Sequence, residues 1–284
     1  MKQSINAGFT IVEIMIFLAI SGIMLVSALL LVNGQQNRTE FSTSVRDIES
    51  QLRDVINDVS TGVYNYNGNF QCQVIGPGTA PVITSGSAEQ GSNLGCTFVG
   101  RVFQFSPLND PTSFYTYSVV GRQFPGSGPS SGDITNLSDA KPVPISPRTS
   151  DVSVPDATEK AGLNNGLRVE KMTYNDGTGD INIGSFGIFS NFTRAASGIS
   201  TIKQNSDFWP IRNSVLDESQ EEAAQKIYEL GTALPAVVQP FRNPENGISI
   251  CFVNDRVPQY GLITIGNQNG RLNTNLSVGS GSCP

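Results

Sequence analysis

The chain of 284 residues carries 18 Lys and Arg against 24 Asp and Glu, a formal charge of −6, and only 15% of its residues are charged. A chain with this balance has no basic field to neutralise a row of phosphates, so nucleic acid is not expected as a partner. Histidine is absent, which removes the commonest general base, the commonest zinc ligand and every Ser-His or Cys-His nucleophile pair; with no Gly-Lys-Ser/Thr phosphate loop either, neither an enzyme nor a cofactor is expected.

All 16 prolines lie at or after Pro77 and all four cysteines at or after Cys72. The first seventy-odd residues are therefore a region apart, free of the residue that most reliably breaks helices. Within it, no residue from Ile14 to Asn37 is charged, and Ile14 to Val32 is an apolar run interrupted only by Ser21, Gly22 and Ser27. As a helix this run measures roughly 28 Å, matching a hydrocarbon core of about 30 Å. A cleaved secretory signal fits less well. Its apolar core is about 7–15 residues long, whereas here Ser27 and Ala28 lie inside the run and an acidic residue, Glu13, stands where a basic flank belongs.

Beyond the run, Phe41, Val45, Ile48, Leu52, Val55 and Val59 recur at helical spacing, with Arg46, Glu49, Arg53 and Asp54 off the stripe and Gly62 as a stop. The pattern predicts one helix over residues 9–60, about 78 Å long, whose weak points are Gly22 and Gly34. Its outer half docks on the downstream domain or, alternatively, on a coiled-coil partner.

Upstream, a polar stretch, Met1 to Gly8, holds a single charge, Lys2, and is followed at once by Phe9-Thr10-Ile11-Val12-Glu13. In these residues the chain resembles the type IV pilin and pseudopilin superfamily, whose class III prepilin signal is a short charged leader ending in Gly, then Phe-Thr-x-x-Glu and a long apolar helix. The likeness covers about residues 5–35 by motif and 36–60 by pattern. It implies that a prepilin peptidase cuts between Gly8 and Phe9, removing residues 1–8, and methylates the new amine. It further implies storage in the inner membrane with a cytoplasmic N-terminus, then assembly with other pilin or pseudopilin subunits on a platform into a type IV pilus or a type II secretion pseudopilus. The large head suggests a minor subunit, with priming, retraction or adhesion as its role. The chain departs from many pilins in having no proline in the embedded half.

Glu13 has a cost to offset, because an acidic side chain in a spanning segment is unfavourable. After cleavage the Phe9 amine lies one turn away, and in a staggered stack Glu13 of one subunit meets the amine of its neighbour, fixing register. A carboxylate that reaches to the headgroups without a partner is the plain alternative.

From Val63 onward, short β-branched and aromatic runs alternate with Gly, Pro, Asn and Asp clusters. Strands are predicted over 98–105, 114–120, 167–174, 181–189, 247–253, 260–265 and 271–278. A helix is predicted over 220–230, opened by a Ser219/Glu222 capping box and closed at Gly231. Residues 121–165, rich in Pro, Gly, Ser and Asp, read as a surface excursion. The fold class is thus α+β, a long N-terminal helix packed on an antiparallel β-rich head over 61–284.

Four cysteines beyond a membrane anchor suggest two disulfides, most simply between sequence neighbours, Cys72–Cys96 and Cys251–Cys283. Two other connectivities, and free buried thiols, are also open. Asp176, Asp180 and Asn182 offer oxygen ligands in an arrangement similar to the calcium loop of some pseudopilins, although a solvated hairpin turn accounts for the same residues. Phe208-Trp209-Pro210 is either a partner contact or core. A competing class remains, a single-pass anchored exported adhesin or enzyme with the N-terminus as a tether, although no site for it stands out.

Overall fold

A computed structural model describes residues 10–61, 70–86, 95–124, 134, 137–175, 177–190, 206–232, 247–268 and 271–284. One continuous helix, α1 (Ile11–Thr61), passes through Gly22 and Gly34. It is about 76 Å long. Every described side chain from Ile11 to Val32 is exposed, whereas Phe41, Val45, Ile48, Leu52, Val55 and Val59 are buried. Ile56 joins this stripe. It lies one position beyond Val55 and widens the buried face.

The head holds two large antiparallel sheets. Sheet I contains β3 (Cys96–Phe105), β4 (Ser113–Arg122), β5 (Val143–Pro144), β6 (Glu159–Gly162), β9 (Ser185–Ser190) and β10 (Ser206–Pro210), in the order β10-β9-β3-β4-β5, with β6 also pairing β4. Sheet II contains β7 (Arg168–Asn175), β8 (Asp180–Asn182), β11 (Ile248–Asn254), β12 (Val257–Gln268) and β13 (Arg271–Ser280), in the order β13-β12-β11-β7-β8. A separate hairpin pairs β1 (Phe70–Gln73) with β2 (Val82–Ser85).

The helix stripe enters a core shared by both sheets, where Phe103, Phe105, Phe114 and Phe186 of sheet I gather and Phe252 of sheet II meets Phe105 edge-on with ring centroids 6.0 Å apart. The opposite face of sheet I is covered too. There Val99, Val102, Tyr117 and Val119 pack under the helix α3 (Gln220–Thr232) through Ala223, Ala224 and Ile227. Burial on both faces explains why β3 and β4 are buried almost continuously instead of alternating. On the face of sheet II away from this core, Asn273, Asn275 and Ser277 of β13 are exposed, while Thr173 and Cys251 are buried.

Three expectations are corrected in detail. The run 181–189 is two strands, because the chain leaves sheet II after Asn182 and enters sheet I at Ser185. Gly184 sits at this crossing, where a Cβ would stand 1.9 Å from Val215 O, so a side chain has no room. The stretch 121–165 is not one surface excursion. It carries the end of β4, the short helix α2 (Leu137–Ala140), β5 and β6, and it buries Val143, Ile145 and Ala157 against Phe70 and Ile83 of the first hairpin. Elements of two to four residues leave no periodicity to read. Finally, Gly231 does not end α3 but lies inside its last turn, where a Cβ would come within 2.4 Å of Pro142 O.

Candidate functional site

Gly8 and Phe9, the expected processing site, lie outside the described residues, as does Asp176. Glu13 opens α1. Its Oε2 accepts hydrogen bonds from Thr10 N at 2.9 Å and Thr10 Oγ1 at 3.0 Å, while Glu13 N donates to Thr10 Oγ1 at 3.3 Å. These reciprocal bonds are a capping box, with Thr10 as the cap. Thr10 was not singled out from the sequence as a partner of Glu13, although Thr-x-x-Glu before an apolar run is the pattern that signals one. In the isolated chain, then, the carboxylate is held by its own first turn. Among the described residues α1 is the one helix long and apolar enough to cross a membrane. Its apolar half is exposed on all sides, and such a surface is stable only in lipid or among partner helices.

The outer half of α1 is fixed to the head at several levels. Near the lower end, Asn165 Nδ2 donates to Ser44 Oγ at 2.8 Å. Val45 packs on Gly261 of β12 so closely that a Cβ there would lie 2.7 and 2.8 Å from the two Val45 methyls. Higher up, Arg53 pairs with Glu49 at 2.7 Å and donates to Thr274 Oγ1 of β13 at 2.6 Å, and Thr274 Oγ1 donates to Glu49 Oε1 at 3.0 Å. At the top, Ser190 Oγ donates to Val59 O at 3.3 Å. This docking follows the hydrophobic stripe and makes the long helix one body with the head.

The cysteines pair as Cys72–Cys96 and Cys251–Cys283. The first ties β1 to the start of β3, and the second ties the segment after β13 to β11. Cross-links of this kind suit an extracytoplasmic head.

Around the calcium candidates, Asp180 Oδ1 accepts from Asn175 Nδ2 at 2.9 Å and Gly177 N donates to Asn175 Oδ1 at 2.8 Å. The bonds close the β7–β8 hairpin as an Asx turn. Asn182 stands two residues away in register with Thr173, and no group of three or more His, Cys, Asp or Glu that could hold a metal occurs among the described residues. Phe208 is buried in the core shared by both sheets, and the half-buried Trp209 packs against the cluster under α3, so both aromatic residues serve the core of the head.

A buried polar network also went unread in the sequence. Tyr117 bonds through its hydroxyl to Gln104 Oε1, Gln104 Nε2 donates to Glu218 O at 2.7 Å, and the buried Glu218 carboxylate pairs with Lys226 Nζ at 2.5 Å. Burial pushes the Tyr117 hydroxyl well above the ordinary tyrosine range. The network anchors the loop before α3 to β3. A scan against protein-family models, a search of curated proteins and a search of solved structures each return no match.

Proposed function

We propose that the chain is a pilin-like structural subunit of a type IV pilus or a secretion pseudopilus, cut by a prepilin peptidase at Gly8–Phe9 and assembled through its N-terminal helix. One observation carries the reading: α1 is a single helix whose first half is apolar and exposed on every side while its second half is locked to an outward head. A tether needs the first half but has no use for rigid continuity with the second. A stacking subunit needs both, because the position of each head is then set by the packing of its helix. Glu13 pairs with the Phe9 amine of a neighbour in the assembled state, taking the carboxylate from Thr10. The subunit is of the minor kind, with the inner membrane, the peptidase, the assembly platform and other pilin-like chains as its partners.

Mass spectrometry of the mature N-terminus tests this. The expected species begins at methylated Phe9, and Gly8→Val should accumulate as full-length precursor in the membrane. A mature protein that starts after Val32, or an uncut chain in its native compartment, would overturn the proposal in favour of an exported or merely anchored head.

A further inference from the structure

On the face of sheet II away from the shared core, at the end farthest from the apolar span, lies a cleft of about 330 Å³. That volume is at the small end of small-molecule sites, which run roughly 300–1,000 Å³. Its origin is legible in the strand register. Ile248 pairs with Ile265, which sets Gly247 opposite Gly266; Gly266 in turn pairs with Asn273, Asn175 N donates to Gly247 O at 3.0 Å, and Asn175 pairs with Asp180. One row across all five strands therefore has polar side chains at its two ends and none in the middle. At about 4.8 Å per strand, Asn273 and Asn175 stand roughly 14 Å apart across a bare backbone floor. A Cβ at Gly247 would lie 2.7 Å from Ile265 O, so the register itself keeps the floor open. Glycine inside a strand marks a place where a ligand can approach the backbone closely.

The next row on the same face supplies Asn275, Thr264 and Ser249 to the wall. The lining is thus amides, hydroxyls and one carboxylate. It contains no Lys or Arg to hold an anion and no aromatic ring, and Ile265 is fully buried on the core side, so it presents only backbone. The groups are also available. Asp180 uses one oxygen on Asn175, which is itself held by Gly177, and among the described residues no hydrogen bond engages the Asn273 amide or the Ser249 hydroxyl. Fixed donors and acceptors standing side by side on rigid strands match vicinal hydroxyls, each of which donates one hydrogen bond and accepts others.

We propose that this cleft binds a neutral oligosaccharide whose chain runs across the Gly247–Gly266 floor, a hydroxyl towards one end donating to Asp180 and one towards the other accepting from the Asn273 amide. The site goes beyond the assembly role and does not rest on it. The test uses the full chain in a polyoxyethylene detergent, since sugar-headed detergents would compete. Saturation-transfer NMR is run against neutral oligosaccharides of glucose, galactose, mannose and N-acetylglucosamine, with an acidic oligosaccharide and inorganic phosphate as contrasts. At least one neutral member should bind, and Asn273→Ala and Asp180→Ala should each weaken it about tenfold. Asn273 is exposed on β13, so its variant leaves the fold intact. No signal from any neutral member at about 10 mM, preference for the acidic probes, or an unchanged Kd in Asn273→Ala would overturn the proposal.

Discussion

Val45 of α1 lies over Gly261 of sheet II with no room for a side chain between them, and this contact makes a quantitative prediction. In Gly261→Ala the new methyl would stand 2.7, 2.8 and 3.3 Å from Cγ2, Cγ1 and Cβ of Val45. Ordinary carbon contacts begin near about 3.5 Å, and a β-branched side chain in a helix has essentially one rotamer, so Val45 cannot swing aside. The helix must lift from the sheet by several tenths of an ångström, with a destabilisation of about 1–3 kcal/mol as for other overpacked sites. Val45→Ala alone removes a fully buried side chain and should cost about 1.5–3 kcal/mol. In the double variant the methyl added on β12 occupies the space that Val45 vacates, so the two effects should fall short of their sum by about 1 kcal/mol or more. Urea-dependent proteolysis of the full chain in detergent, with disulfides intact, measures all four corners of the cycle. Additivity within about 0.5 kcal/mol, or a neutral Gly261→Ala, would mean that the helix does not lie on β12 at this register.

Other outcomes follow from the same geometry. If the chain assembles as proposed, Glu13→Ala should enter the membrane at least as well as the original chain, since it removes an acidic group from the span, yet fail to enter sheared filaments or crosslinked pseudopili; Glu13→Gln should fail as well, and normal incorporation of both would make Glu13 a bystander. Cys251→Ser with Cys283→Ser opens a cross-link of sequence separation 32 and should cost about 3–4 kcal/mol by loop-closure entropy, measured as a fall in urea midpoint with a slope no shallower than the original, because the unlinked denatured chain is more expanded. Hydrogen bonds from Ser219 hold the Glu222 carboxyl below its usual range. A carboxyl lowered by folding stabilises the fold above its unfolded value near about 4.3, and that contribution disappears as pH falls through the lower folded value. Amide exchange in the first turn of α3 should therefore quicken with acid relative to Glu222→Gln, and identical pH profiles would dismiss the cap.

How far the sequence could be read depended on how much of each signal was local. The stripe from Phe41 to Val59 and the Ser219/Glu222 box are periodic or short-range patterns, and the structure carries both. Strand β10 escaped because Asp207 and Pro210 flank its two aromatic residues, and β5 and β6 escaped because they are two and four residues long. The sheet switch at Gly184 and the fit of Gly231 against Pro142 depend on chain segments far away in sequence, so a glycine there reads only as a turn or a stop. The polar cleft was invisible for a related reason. Gly247, Gly266, Asn273 and Asp180 come together only through the pairing of five strands, and no spacing along the chain announces it.

The fixed seat of α1 has a mechanical corollary. From Phe41 to Val59 the helix is clamped over about 27 Å, and from Ile11 to Phe41 it projects as a stiff arm about 45 Å long. No proline interrupts the arm, and its backbone remains helical through Gly34. A tilt of about 10° about the clamp would carry the lower end through roughly 8 Å, a distance close to that between neighbouring packed helices. Angular error in the head is thus converted into a whole helix width at the foot. Whatever grips the foot aims the head, and the shared core beneath Phe41 is the bearing on which that aim depends.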